Sequence, residues 1–349
     1  MSRNPDFVIH LGDYRYDTES VRIWDKWNSD FFSRVADGPL MQTPWAFVRG
    51  NHETCDRAGR GWYFFFGPED SSIKCSAGDT RLITSWYFEA RDSRPSATAP
   101  FRFVFVGTAP SISDPYDTDS KHTPDCATAL KAPGPLDRFA LWDKAVCEFD
   151  QALRWTRDRS VTGLPIGTWF VMHKPIWGLD TSHWTPRQTD HDVGAALEAA
   201  VKLSSAPECS PYDPSNCGLK GVLGAHEHMF TNVVFERTEL PQQFVVGHSG
   251  VKLDPPPGQF DDLNAVQSCW VKRMNSRGLH KAHRNGIAAQ YRGRSGRGLG
   301  NEAFGYLLLE RSIQEPSGWA GTVFYRDGQS QMLSNGGNVT RPSADCHRG

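Results

Sequence analysis

Short apolar segments, rich in aromatic and β-branched residues, recur along the chain, and each one ends in glycine or polar residues. Segments of roughly four to eight residues bounded in this way are typical of buried strands that lead into loops. The fold must therefore be built around buried β-structure. The predicted strands cover residues 7–11, 45–49, 101–107, 168–173, 221–224 and 244–247, and a terminal hairpin covers 304–310 and 322–325.

Two helices are predicted between these strands. The first shows apolar residues at helical spacing along one face, namely Phe139, Trp142, Val146, Phe149 and Leu153. The second covers residues 192–203. Strands that alternate with helices predict an α/β layered fold, in which ligands bind beyond the carboxyl ends of the strands. Residues that carry chemistry are therefore expected at the strand ends.

The composition excludes several classes of protein. The 38 Lys and Arg residues against 40 Asp and Glu residues give a net charge of −2, so the surface as a whole attracts neither nucleic acid nor an anionic membrane. No segment approaches the roughly 18 apolar residues that a membrane span needs. The 20 Phe and 12 Trp residues are too many for a disordered chain. A length of 349 residues allows one large catalytic domain or two small ones.

One segment departs from this charge balance. Residues 263–301 contain no Asp or Glu, and we assign an insertion to residues 259–303 around them. One interpretation is a solvated, mobile surface insertion. The other is a flap that steers phosphate substrates or contacts nucleic acid without sequence preference. The segment carries eight positive charges: Lys272, Arg273, Arg277, Lys281, Arg284, Arg292, Arg294 and Arg297.

Eight cysteines are spread along the chain, and no two form a Cys-x-x-Cys pair. Cys209 and Cys217 flank a loop rich in Pro, Asp, Ser and Asn, which would suit a disulfide and an oxidising compartment. Unpaired thiols in a cytosolic enzyme are the alternative, because residues 1–6 show no signal-peptide pattern. A periplasmic or secreted location is expected if the N-terminus is truncated, and a cytoplasmic one otherwise.

Polar residues with the chemistry of metal ligands follow four of the predicted strands. Carboxylate, amide, phenol and imidazole groups form a mixed oxygen and nitrogen set that suits Zn, Mn or Fe. Each residue alone has a simpler explanation: Asp13 suits a turn or a helix cap, and His173 suits a buried core histidine. The set comprises Asp13, Tyr16, Asn51, His52, His173, His226 and His228.

Taken in order, these residues resemble the motifs of the calcineurin-like metallophosphoesterase superfamily, and more narrowly of its purple acid phosphatase branch with bacterial relatives. The resemblance covers residues 7–228 and the terminal hairpin. It rests on Gly12-Asp13-x-x-Tyr16, on Gly50-Asn51-His52-Glu53, on the lone His173 after a hydrophobic strand, and on Ala225-His226-Glu227-His228.

The resemblance implies a four-layer αββα sandwich with a dinuclear metal centre, Fe with Zn or Mn, in a catalytic domain at 1–258. Asp13 would bridge both ions. Tyr16 and His228 would complete one shell, whereas Asn51, His173 and His226 would hold the other ion. His52 would contact the phosphate and the leaving group. His183 stands where the branch places another such histidine, although a polar loop residue is an equal interpretation.

The implied activity is metal-dependent hydrolysis of a small-molecule phosphate ester by an activated hydroxide. Neither a Gly-x-Ser-x-Gly elbow nor a Walker loop occurs in the sequence. A catalytically weak relative that acts as a binding module, with the basic segment as its contact surface, is one alternative. A nuclease on the same fold is the other, and it would bind polynucleotides in a salt-sensitive way.

Two positions depart from the family pattern. Ala225 replaces a glycine, which is tolerable unless the position needs a positive φ. The opening Asp-x-His or Asp-x-Gly motif is absent upstream of Gly12, so one ion lacks a carboxylate and the sheet is expected to lack its first strand. Asp345-Cys-His347 has the right spelling but lies in the polar tail assigned to 328–349, after the hairpin at 304–327.

Overall fold

The computed structural model describes six helices and fourteen strands, and the strands form three sheets. The described residues are 5–14, 23–36, 39–53, 61–66, 84–91, 100–108, 115, 122–132, 136–160, 163, 165–176, 194–203, 218–235, 241–249, 266–271, 287–294, 304–312, 319–333 and 344–345.

The strands in chain order are β1 (Val8–His10), β2 (Trp45–Phe47), β3 (Trp86–Ala90), β4 (Phe101–Val106), β5 (Gly167–Met172), β6 (Leu219–Gly224), β7 (Phe230–Phe235), β8 (Gln242–Val246), β9 (Val266–Val271), β10 (Ile287–Arg294), β11 (Gly305–Arg311), β12 (Trp319–Tyr325), β13 (Ser330–Leu333) and β14 (Ala344–Asp345). Eight of them coincide with the strands predicted from the sequence, with ends that differ by up to three residues.

The helices are α1 (Ile23–Trp27), α2 (Ser33–Val35), α3 (Gly61–Phe65), α4 (Cys126–Ala129), α5 (Arg138–Trp155) and α6 (Gly194–Leu203). A π-helical turn, Asn28–Phe32, joins α1 to α2. Two short 3₁₀ turns cover Pro39–Gln42 and Gly247–Ser249. Within the described residues no helix combines the length and the apolar character needed to cross a bilayer.

The largest sheet has nine strands in the order β14-β9-β10-β7-β8-β6-β5-β4-β3. Its centre is parallel, because β4, β5, β6 and β8 pair side by side in the same direction. Val106 lies opposite Met172, and Leu223 lies opposite Val171. The carboxyl ends of these strands therefore share one edge, which is where side chains from separate loops can meet.

Helices α5 and α6 cover one face of this sheet. The Asp137 side chain caps α5 by accepting the backbone N–H of Ala140 at 2.8 Å. Four of the five residues predicted for the apolar face of α5 are buried. Phe139, in the first turn, is the exception at 37% exposed, and the Arg138 guanidinium lies over its ring at 4.7 Å.

The opposite face of the large sheet packs against a second sheet layer. In β4, Phe101, Phe103 and Phe105 point into this layer while the intervening valines face α5 and α6. The layer consists of the parallel pair β1-β2 and the antiparallel sheet β11-β12-β13. Phe7, next to β1, and Trp319 of β12 both contact the Phe103 ring edge-on, at 5.3 and 5.7 Å.

An aromatic cluster closes the structure on the far side of β1-β2. Trp27 of α1 and Trp62 of α3 are fully buried there beside Tyr14. Helices, two sheet layers and helices again form a four-layer arrangement, so the α/β fold class predicted from the sequence is confirmed.

Several strands were not predicted. Two of them, β9 and β10, lie inside the basic segment assigned as an insertion, and they extend the large sheet beyond β7. Two more, β13 and β14, lie in the segment assigned as a polar tail, and Asp345 of β14 pairs with Trp270. Small and charged residues in these segments hide any strand periodicity. The division into domain, insertion, hairpin and tail stays a prediction.

Cys126 and Cys147 form a disulfide that joins α4 to α5, with Cα atoms 5.3 Å apart. The expected pairing of Cys209 with Cys217 lies outside the described residues. A cross-link over 21 residues restricts the unfolded chain and is worth about 3 kcal/mol. Replacing both Cys126 and Cys147 by Ser should therefore lower the free energy of unfolding by about that amount, measured by urea denaturation. Equal stability of variant and wild type would contradict the pairing.

His248 predicts a loss of stability in acid. Its side chain is fully buried beside the rings of Phe230 and Tyr325, and burial lowers its pKa to about 3. Below about pH 6.5 the unfolded chain binds a proton that the folded chain refuses, so stability falls as the pH falls. His248→Phe should lose about 2 kcal/mol less than wild type between pH 7 and pH 5, measured by urea denaturation. Parallel losses would contradict this assignment.

Candidate metal centre

Four loops meet at the carboxyl ends of β1, β2, β5 and β6, and each brings one potential metal ligand. Asp13 follows β1, Asn51 follows β2, His173 follows β5 and His226 follows β6. Both pairs of strands are parallel, which directs their following loops to the same edge of the structure. His173 is fully buried, while the other three residues are half-buried.

The side-chain atoms of these residues converge closely. Asn51 Oδ1 lies 2.9 Å from His173 Nε2 and 3.0 Å from His226 Nδ1. The two ring nitrogens are 3.2 Å apart, and Asp13 Oδ2 lies 3.3 Å from His173 Nε2. Ligand atoms of Asp13, His173 and His226 all lie within 4.8 Å of one another. A single cation can therefore contact all four side chains.

The hydrogen bonding of His173 supports a cation at this point. Its Nδ1 lies 2.8 Å from the carbonyl oxygen of Leu11, and a carbonyl only accepts, so Nδ1 carries a proton. In neutral His173 the Nε2 atom is then an acceptor that faces the oxygen atoms of Asn51 and Asp13. Acceptors that face one another repel, and either a proton on Nε2 or a bound cation relieves this repulsion. Mixed oxygen and nitrogen ligands fit Zn, Mn or Fe.

Charge interactions within the site are strong. Burial opposes ionisation of Asp13, but His173 and His52 outweigh it and lower the pKa of Asp13 below its usual range. Burial likewise opposes the charged form of His173, yet Asp13 raises the pKa of that imidazole above its ordinary value. The carboxylate therefore stays ionised and stabilises positive charge beside it, as a metal ligand must.

The backbone of two proposed ligands is strained. Asp13 has φ +57° and His226 has φ +68°, in the left-handed region that side chains other than glycine rarely adopt. Each such residue costs about 1–3 kcal/mol, a cost that surrounding contacts must offset. Ala225 does not have a positive φ, so alanine in place of the family's glycine is compatible with this loop.

A family model for calcineurin-like phosphoesterases matches residues 2–230, which include all four converging side chains. The chain belongs to the calcineurin-like phosphoesterase family. The superfamily predicted from the four motifs is thereby confirmed.

Relatives of this calcineurin-like phosphoesterase include Purple acid phosphatase 3 of Arabidopsis thaliana, which is 27% identical over 156 residues. The match covers 43% of this chain but 35% of the relative, so the chain spans about a third of that protein. This relative agrees with the predicted purple acid phosphatase branch.

Two solved structures match this chain at 12% identity. GAP50, described as the anchor in the inner membrane complex of Plasmodium, has a TM-score of 0.38, with 96% of this chain and 90% of that chain covered. Purple acid phosphatase PPD1 from yellow lupin (Lupinus luteus) seeds has a TM-score of 0.46, with 97% of this chain and 47% of that chain covered. Likenesses this distant carry no argument about function.

Three further residues, Glu53, Tyr14 and His10, lie beside the proposed ligands and were assigned no role from the sequence. Glu53 is fully buried and accepts backbone N–H groups of both motif loops, and burial together with Asp13 raises the pKa of its carboxyl to about 7. Tyr14 donates its O–H to the carbonyl of Val48 at 3.0 Å and stacks on His10 at 4.1 Å. Glu53 closes the Gly50-Asn51-His52-Glu53 motif and Tyr14 directly follows Asp13, whereas no sequence signal pointed to His10.

The other predicted site residues lie as follows. His52 is half-buried, and its backbone N–H donates to Asp13 Oδ1 at 3.1 Å. His228 is half-buried two residues after His226, and it is not part of the compact group formed by Asp13, His173 and His226. Tyr16 and His183 lie outside the described residues, so their assigned roles stay predictions.

Proposed function

We propose that this chain hydrolyses phosphate esters at a metal centre held by Asp13, Asn51, His173 and His226. The observation that carries the proposal is the convergence of potential ligand atoms on Asn51 Oδ1, which lies within 3.0 Å of two histidine nitrogens. Membership of the calcineurin-like phosphoesterase family supplies the reaction class.

The proposed centre has two metal ions, Fe with Zn or Mn. Asp13 would bridge them, and Tyr16 and His228 would complete the coordination of the second ion, as the family motifs imply. When bound, two such ions lower the pKa of a water molecule and stabilise charge on the phosphate oxygens. Asp13 suits a ligand position because the His52 N–H holds Oδ1, which leaves Oδ2 directed towards His173 and the other converging side chains.

His52 is the proposed contact of the phosphate and the leaving group. The hydrogen bond from its backbone N–H to Asp13 Oδ1 fixes its position. His52 directly follows Asn51, so both side chains extend from the same loop. As an imidazolium it would donate a proton to the departing alkoxide, a step typically worth roughly 10²–10⁴-fold in rate. His183 is proposed as a second histidine that contacts the phosphate and donates a proton to the leaving group. A small-molecule phosphate ester is the proposed substrate.

A metal titration with two substrates tests the proposal. Protein stripped with a chelator is reloaded with Mn²⁺, Zn²⁺ or Fe²⁺, and its metal content is measured by elemental analysis. Hydrolysis of p-nitrophenyl phosphate and of bis(p-nitrophenyl) phosphate distinguishes monoester from diester activity. We expect no turnover by the stripped protein and recovery of turnover with metal.

His173→Asn and His122→Asn form a matched pair for this assay. His173 is a proposed ligand, whereas His122 pairs with the Asp143 carboxylate at 2.7 Å beside α5, away from the converging side chains. His173→Asn should lose metal and turnover, and His122→Asn should retain both. Metal binding without hydrolysis of either ester would favour the binding-module alternative instead.

A further inference from the structure

Glu53 connects the two loops that carry Asp13 and Asn51. Its carboxylate is completely buried and accepts three backbone N–H groups, each at 2.8 Å. Oε2 accepts from Gly50 and Asp13, and Oε1 accepts from Tyr14. Both oxygens are therefore committed to the backbone.

Two of these three donors belong to the other loop, 39 and 40 residues earlier in the chain. They are the N–H groups of Asp13 itself and of Tyr14, the next residue. Glu53 thus holds the peptide groups on both sides of the Asp13 Cα atom. The φ angle of +57° at Asp13 sets the orientation of one of these peptide groups relative to the other.

A return contact runs in the opposite direction. The backbone N–H of His52 donates to Asp13 Oδ1, so each loop supplies a carboxylate to the backbone of the other. With the backbone and Oδ1 of Asp13 both held, its remaining oxygen, Oδ2, points to His173 Nε2 at 3.3 Å. The direction of Oδ2 is the feature that a metal ligand needs.

We propose that Glu53 is a positioning residue, which holds the backbone of Asp13 so that Oδ2 is directed at the metal centre. This inference rests on the proposed function, because it requires Asp13 to be a ligand. Glu53 acts through Asp13 and hydrogen-bonds to backbone N–H groups in place of metal or substrate. A group that orients a ligand in this way typically changes metal affinity by roughly 10–100-fold when it is lost.

Glu148 provides a matched control. It is a second fully buried glutamate that accepts a backbone N–H, that of Ser85 at 2.6 Å, but it lies on α5 on the other face of the large sheet. Glu148→Gln therefore repeats the chemistry of Glu53→Gln at a position remote from Asp13. A purely structural role for Glu53 predicts the same effect from both substitutions.

Co²⁺ binding to the stripped protein is the test, followed by calorimetry and by the visible absorption of the bound ion. Glu53→Gln keeps the size of the side chain but replaces one acceptor oxygen by an N–H₂ group, which would face a backbone N–H. We expect roughly 10–100-fold weaker Co²⁺ binding and a changed absorption spectrum. Glu148→Gln should bind Co²⁺ as wild type does.

Glu53→Asp is the second variant, since it keeps a buried carboxylate on the same loop if Glu53→Gln fails to fold. Its shorter side chain would not reach Asp13 and Tyr14 together, so Co²⁺ binding should weaken here too. Wild-type affinity and spectrum in the folded Glu53 variants would overturn the inference while leaving the proposed function intact. So would an equal loss of Co²⁺ affinity in Glu148→Gln. A wild-type protein that binds no Co²⁺ would overturn the proposed function and this inference together.

Discussion

Asp13→Asn is expected to abolish the hydrolysis of p-nitrophenyl phosphate and to remove bound metal. Asparagine keeps the shape of the side chain and an acceptor for the His52 N–H, so the loop should stay folded. It removes the negative charge that raises the pKa of His173 and that opposes the charge of a cation. The loss should exceed the roughly 10–100-fold change typical of residues that only orient a ligand.

Asp143→Asn is the matched control for this substitution. Asp143 also pairs with a histidine, His122, at 2.7 Å, but both lie outside the converging group. Activity and metal content should stay at the wild-type level in this variant. An Asp13→Asn protein that retained metal and most of its activity would show that Asp13 is not a ligand.

The parts of the fold that the sequence predicted are those with strong local patterns. The central strands β4, β5 and β6 are rich in apolar residues because α5, α6 and the second sheet layer cover their two faces. Helix α5 was found because its apolar face repeats at helical spacing from Phe139 to Leu153. Phe139, in the first turn of α5, is the one residue of that apolar face that is exposed.

Other elements carry no such pattern. Strands β9 and β10 lie in a segment where basic and small residues prevail, and their place in the sheet depends on pairing with β7. Pairing between distant segments leaves little trace in local composition. The short helices α1 and α3 form around an aromatic cluster with Tyr14, so tertiary packing stabilises them more than helix propensity does.

The proposed ligands could be located from the sequence because each directly follows a strand. The contacts that orient them could not, since they join loops 40 to 162 residues apart through backbone atoms. The Leu11 carbonyl accepts from His173 Nδ1. Every residue has a backbone carbonyl, so nothing in the sequence marks Leu11 as this partner. The positive φ at His226, next to Ala225, was likewise hidden from a single sequence.

Gly50→Ala is expected to reduce turnover strongly while the fold survives. A Cβ atom at Gly50 would overlap Oδ1 and the backbone nitrogen of Asp13, and it would lie 2.7 Å from Glu53 Oε2. Gly50 has no positive φ, so the effect would come from collision alone. Moving a reacting group by about 1 Å costs roughly 100-fold in rate, and we expect a loss of that order.

Gly321→Ala in β12 separates this collision from a general effect of the substitution. A Cβ atom there would lie 3.4 Å from Leu333 and Phe244 and 3.5 Å from Leu307, all of them side-chain contacts at ordinary packing distance. Steady-state kinetics and urea denaturation of both variants provide the comparison. Gly321→Ala should keep wild-type turnover, whereas Gly50→Ala should lose turnover out of proportion to its loss of stability. Because the overlap at Gly50 involves Asp13 directly, equal turnover in the two variants would mean that the position of Asp13 does not control the reaction.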